Sequence, residues 1–168
     1  MDARAWNNPG AIVDLGCWPW DWSAAFVGKK RVVGVDPFAD LIPGVELFQG
    51  VVGHACGTAL ISQSADRSSV FAEGSKSVPM LSWKKFRNDF HLGQIAVLKI
   101  NIEGSEYALL HSMDEDDFAD IDQIAVSFHD FLWPTRAKAT QAALTYLKSL
   151  GYSIVPTNSA WRWYLCLK

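Results

Sequence analysis

The string Leu98-Lys99-Ile100-Asn101-Ile102-Glu103-Gly104-Ser105-Glu106 constrains this chain more than any other stretch. Residues 95–102 read as a buried strand. From residue 105 the spacing turns helical: Leu109, Leu110 and Met113 form an apolar stripe, and Ser105 is placed to cap it. Asn101, Glu103 and Glu106 therefore stand where a strand stops and a helix starts. In an open α/β sheet, that carboxyl edge is where ligands bind. A packed core has no use for two carboxylates and an amide at such a place, so the string asks for a functional explanation.

The rest of the chain repeats the strand-then-helix theme. Residues 11–16 read as a short buried strand closed by a turn, 31–35 as a second strand ended by Asp36-Pro37, and 45–52 as a third. Short strands near 58–62 and 69–73 flank the polar turn Ser64-Ala65-Asp66-Arg67, as in a hairpin. Residues 79–90 are weakly helical, 114–117 form an acidic loop or helix end, and 121–128 are a strand ending in His129-Asp130. Pro134 opens a helix that runs to Leu150, with Ala143, Leu144, Leu147 and Leu150 inward and Gly151 as its stop. Residues 152–156 and 162–167 close the chain as an antiparallel pair. The alternation predicts an α/β fold: a mostly parallel, Rossmann-like sheet with helices on both faces and an antiparallel C-terminal edge strand. The 168 residues fit one domain spanning 1–168. The connection 37–44 is short for a parallel crossover, so it reads as a single turn.

Composition removes several function classes. The net charge is −3 and the sequence pI about 5.7, which argues against a nucleic-acid partner. Cys17, Cys56 and Cys166 are odd in number and form no C-x-x-C pair, which points to a reducing compartment. No uncharged apolar run reaches the ~18 residues of a membrane span, and the opening Met1-Asp2-Ala3-Arg4 lacks signal-peptide order. The expectation is a cytoplasmic protein without a membrane partner.

A first chemical site follows from Asp14-x-Gly16 after one strand and Asp36 after the next, 22 residues on. A glycine turn lets a ligand approach the backbone, and an acidic residue roughly 20 positions later accepts hydrogen bonds from ribose hydroxyls. The residues after Gly16 are Cys17-Trp18-Pro19-Trp20-Asp21, so the G-x-G-x-x-G pyrophosphate cradle is absent. A nucleoside without phosphates fits better, and S-adenosylmethionine is one. Two alternatives stay open from the residues alone. Asp14 either orients the turn or touches the ligand. Trp18, Trp20 and Trp22 either pack as a lid over the sheet edge or stack on a ligand.

Taken together, Ile12-Val13-Asp14-Leu15-Gly16, Val35-Asp36-Pro37, Ser77-Val78-Pro79-Met80-Leu81-Ser82-Trp83, the 98–106 string and Phe128-His129 resemble the FkbM-type S-adenosylmethionine-dependent methyltransferases over roughly residues 11–130. The resemblance implies a class I methyltransferase fold, S-adenosylmethionine as cofactor, and O-methylation of a small hydroxylated molecule or sugar. It implies that Gly16, Cys17 and Trp18 line the methionine part of the cofactor, that Asp36 holds the ribose and that Gly50-Val51-Val52 lies near adenine. Asp14, Pro37 and Asn101 complete the expected cofactor set, Asn101 either bonding the cofactor's amino group or tying the strand end to a neighbouring loop. Trp20 stands where the family usually has a second glycine, and Asn101 where it has an aspartate.

Glu103 and His129 end what should be neighbouring strands and form the expected catalytic pair. An unperturbed imidazole suits proton removal near neutrality. Asp130 is a candidate to orient the ring. No residues stand at metal-ligand spacing, and the predicted partners are a small-molecule substrate and, through an exposed sheet edge, a homodimer mate. The alternative from another class is a catalytically inactive, methyltransferase-like module that binds a nucleoside or a partner through its Trp-rich rim; Trp20 and Asn101 favour it.

Overall fold

A computed structural model describes residues 4–64, 67–69, 76–132, 134–158 and 162–168. In chain order the elements are α1 (Arg4–Asn7), β1 (Ala11–Leu15), β2 (Val32–Val35), β3 (Glu46–Phe48), β4 (Val51–Gly53), β5 (Gly57–Ser64), β6 (Arg67–Ser69), β7 (Lys76–Ser82), α2 (Trp83–Asp89), β8 (Ile95–Ile100), α3 (Glu106–Ser112), α4 (Glu115–Ala119), β9 (Gln123–Ser127), α5 (Ala137–Ser149), β10 (Ser153–Asn158) and β11 (Trp163–Leu167). Short 3-10 turns lie at Ser23–Phe26, His129–Phe131 and Pro134–Arg136.

Every residue of β1 and β8 is buried, because each strand is covered on both faces. Their side chains alternate between two cores. Val13, Leu15, Val33 and Leu98 join the larger, filled by Trp83 and Phe86 of α2, Leu109 of α3, Phe118 of α4 and Leu147 of α5. Ile12, Val32 and Val97 join the smaller, with Cys17, Trp20 and Phe26. Helices on both faces are the expectation; among the described residues the second face is covered by α1, the Ser23–Phe26 turn and loop side chains that include Trp20, Ala39 and Ile42.

The main sheet has seven strands in the order β10-β11-β9-β8-β1-β2-β3. β1 pairs in parallel with both β2 and β8, so the chain winds one way to β3 and later returns to the other side of β1. The order reverses between β1 and β8, which makes their carboxyl ends a topological switch point. The C-terminal antiparallel pair is present, and the strand order adds a detail. β11 runs antiparallel to both neighbours from one place inside the sheet, while β10 holds the edge.

The third expected strand, 45–52, is instead two. β3 belongs to the main sheet, whereas β4 belongs to a second sheet of order β4-β7-β5-β6. The chain switches sheets at Gly50, where a Cβ would meet the Pro79 carbonyl at 2.5 Å and the Phe48 ring at 2.6 Å. The weakly helical reading of 79–90 is corrected likewise: β7 continues to Ser82, whose hydroxyl then caps α2 by accepting from Lys85 N. The hairpin pairs Ser62 with Ser69 and Ser64 with Arg67; residues 70–73 of its expected second strand lie outside the described residues. The acidic stretch at 114–117 is ordered by a reciprocal capping box between Asp114 and Asp117, which starts α4. The 37–44 connection carries no helix: Asp36 Oδ1 accepts from Phe38 N and Ala39 N and closes a turn. No helix among the described residues is long and apolar enough to cross a membrane.

Candidate active site

A cleft of about 1150 Å³ opens between the carboxyl edge of the main sheet and the inner side of the second sheet. That lies just above the usual size of a small-ligand pocket, ~300–1,000 Å³. Of the expected site residues, Gly16, Trp18, Asp36, Pro37, Val51, Asn101 and Glu103 line it. Asp14, Cys17 and His129 do not reach its wall.

Gly16 lets β1 and β8 meet closely. It adopts φ +79°, and a Cβ there would lie 2.0 Å from the Asn101 carbonyl oxygen. Beneath it, Lys99 Nζ donates to the Gly16 carbonyl and pairs with Asp14 Oδ1 at 2.7 Å. Asp14 is 1% exposed, and its burial pushes the carboxyl pKa up despite the lowering effect of Lys99. Asp14 thus supports the Gly16 turn from below. Lys99 lines the cleft and is not among the residues expected there, although a lysine in an otherwise apolar, wholly buried strand was its visible signal.

The side chain of Cys17 packs into the smaller core, where burial drives its thiol pKa far up. Trp20 lies there too, 6% exposed, with Nε1 donating to the Asp40 carbonyl at 2.8 Å. Its ring presses on Gly34, where a Cβ would sit 2.3 Å from it. Of the three tryptophans, Trp18 and Trp22 line the cleft, Trp18 being 54% exposed, and Trp20 does not.

Asp36 has two duties. Its Oδ1 closes the turn after β2, and its Oδ2 accepts from Trp18 N at 3.3 Å at the cleft wall. The carboxylate is therefore held rigidly with one oxygen toward the opening.

The acidic string ends in a compact cluster. Glu103 and Gly104 both take left-handed backbone, φ +52° and +98°. Glu106 is fully buried, and its Oε1 accepts from Ile102 N and Gly104 N, both at 3.1 Å. This carboxylate bonds the turn before α3; Ser105 makes no side-chain cap there. The same Oε1 lies 2.7 Å from His129 Nδ1, while His129 Nε2 lies 3.4 Å from Glu103 Oε1. Burial alone would lower the His129 pKa, but hydrogen bonds and charge from Glu103 and Glu106 outweigh it and raise it to about 9. Flanked by two carboxylates, the ring is biased toward its protonated form, in place of the near-neutral base expected from its ordinary value. Asp130 does not orient it: Oδ1 of Asp130 faces Arg162 Nε at 3.7 Å. Glu106 does, a role the sequence concealed because a glutamate in a helix first turn is ordinary. No cluster of three or more metal-ligating side chains occurs among the described residues.

The sequence profile of the methyltransferase FkbM domain matches residues 20–154. The chain belongs to the FkbM methyltransferase family. This match reaches further toward the C-terminus than the motif resemblance and begins after β1. The chain is also similar in structure to a methyltransferase FkbM from Methylobacillus flagellatus KT, with a TM-score of 0.60 and 16% identity over 95% of this chain. At that identity the likeness speaks for the fold. The chain spans 44% of that protein's length. No match is found among curated proteins. The cleft stands at the switch point of the sheet, where such a sheet binds ligands.

Proposed function

We propose that this chain is an S-adenosylmethionine-dependent methyltransferase that acts on a hydroxyl oxygen of a small molecule or sugar. The observation that carries the reading is the convergence of Asp36 from the end of β2 and Glu103 from beyond β8 on one cleft, with His129 behind Glu103. The donor set suits such a cofactor. Asp36 presents a rigid oxygen to a ribose diol, and Val51, Ile61 and Met80 offer apolar contact to a base. Asp21, Asp36 and Glu103 line the cleft, and its lysine, Lys99, is ion-paired to Asp14, so the field favours a cation. No phosphate cradle competes with this assignment.

When bound, the cofactor supplies a methyl group made reactive by its sulfonium charge. The protein's contribution is then mainly alignment. Glu103 accepts the hydrogen bond of the acceptor hydroxyl at the cleft wall. The acceptor proton passes to the Glu103 carboxylate at the wall and from it to Nε2 of His129 behind, once the ring has lost its own resting proton, so transfer should quicken toward pH 9. The acceptor is a small molecule and not a nucleic acid or membrane, the setting is the cytoplasm, and the exposed strand edges suit a homodimer. The rival reading, an inactive binding module, draws on Trp20 and Asn101; the Trp20 indole lies in the core outside the cleft, whereas Asn101 lines it.

The test is calorimetry with S-adenosylhomocysteine, followed by methyl transfer to a panel of hydroxylated small molecules. Binding and transfer are expected. Absence of binding at millimolar ligand would remove the reading. Binding without transfer to any acceptor would favour the inactive module.

A further inference from the structure

We infer that Glu106 is a positioning residue for the proposed methyl transfer: its buried carboxylate holds His129 in one orientation and ties the Glu103 loop to the end of β9. The inference rests on the reading above and extends it to a side chain that does not line the cleft.

Placing an ionised carboxylate at zero exposure is costly unless its partners compensate. A glutamate that only complemented the α3 dipole would do so in solvent at no such cost. Glu106 instead gathers three donors on Oε1, while Oε2 has no hydrogen-bond partner among the described residues. Two of those donors, Ile102 N and Gly104 N, flank Glu103, whose left-handed backbone is unfavourable for a residue with a Cβ. The third is the ring itself. A carboxylate on Nδ1 fixes that nitrogen as the proton-bearing one and turns Nε2 toward the reacting side, the division of labour of an orienting acid in a catalytic triad. Here Nε2 faces Glu103 at 3.4 Å. Phe131 packs on the ring with centroids 5.4 Å apart and limits its rotation. The charged groups facing His129 are Glu103 and Glu106; Asp130, next in the chain, is turned to Arg162.

The experiment is nitrogen NMR on the whole chain with labelled histidine, comparing wild type and E106Q, with the 129 resonance assigned from a His129→Asn sample. In wild type, Nδ1 is expected protonated and hydrogen-bonded at pH 8. In E106Q the titration midpoint should fall by about one pH unit or more, because half of the stabilising negative charge is gone. Methyl transfer should slow roughly 10- to 100-fold in kcat, with S-adenosylhomocysteine affinity unchanged within about twofold. A glutamate that paired with the ring for stability alone would move its titration without slowing transfer, so identical midpoints, or a lowered midpoint with unchanged kcat, would overturn the inference. Should E106Q fail to fold, wild type alone decides: a ring that is neutral at pH 8, or protonated on Nε2 only, overturns it. Failure of the cofactor analogue to bind while the ring behaves as expected would instead remove the methyl-transfer reading, and Glu106's catalytic purpose with it.

Discussion

The indole of Trp20 belongs to the smaller core and not to the cleft, and its replacement gives a sharp test. From the sequence, Trp20→Gly should leave the fold standing and merely loosen a loop. The structure predicts otherwise. The indole is 6% exposed, packed among Cys17, Phe26 and Ala39 and pressed against Gly34. Removing a buried Trp costs ~3–5 kcal/mol, and the Nε1 bond to the Asp40 carbonyl adds about 1 kcal/mol. One term acts in the other direction. Trp20 has φ +73°, a conformation glycine adopts freely and alanine does not, worth about 1 kcal/mol. Trp20→Ala should therefore lose about 4–6 kcal/mol and Trp20→Gly about 3–5 kcal/mol. At roughly 2–4 °C per kcal/mol for a domain of this size, both shifts are easily seen in thermal melts, and urea midpoints at constant m supply the free energies. Cofactor affinity of the folded fraction should be unchanged. If either variant kept wild-type stability within about 1 kcal/mol and bound cofactor more tightly, the ring would belong to the cleft and the argument would fail.

Three further outcomes follow from the same geometry. Asp36→Ala should weaken S-adenosylhomocysteine binding by about 1–3 kcal/mol in calorimetry. It should also destabilise the fold slightly, because Oδ1 caps the Phe38–Ala39 turn; unchanged affinity would leave Asp36 a turn residue alone. His129 is raised from 6.5 to about 9 on folding, so its ionic contribution, about 3 kcal/mol, is fully present below pH 6.5 and lost as pH rises through 9. His129→Asn should flatten that part of the stability–pH curve measured by urea denaturation, and a curve of unchanged shape would refute the assignment. Lys99→Met should cost about 3–5 kcal/mol at neutral pH by stranding Asp14. The deficit should shrink in acid as Asp14, already biased toward protonation by burial, takes up a proton; a pH-independent deficit would show that packing, not charge, is lost.

Local pattern alone determined a good deal of this protein. The buried strands at 11–16 and 95–102, the long helix after Pro134 and the polar strand end at 101–106 each write their burial into neighbouring residues, and parallel strands buried on both faces leave an unmistakable apolar run. The place of Asp36 and Glu103 at the cleft wall was legible for the same reason: strand ends bearing acids in an α/β sheet point at the cleft. What the sequence concealed depends on partners far away in the chain. Trp20 sits in a tryptophan-rich loop, yet which face of the sheet receives it is decided by the room above Gly34. The split of 45–52 between two sheets turns on the closeness of Gly50 to Pro79, 29 residues on. The protonation of His129 follows from Glu103 and from Glu106, the latter 23 positions earlier and buried in a helix turn that looks like any other. Periodicity records whether a side chain is inside; it carries no record of which charge waits there, and only the packed structure supplies the low dielectric that turns such a meeting into a shifted pKa.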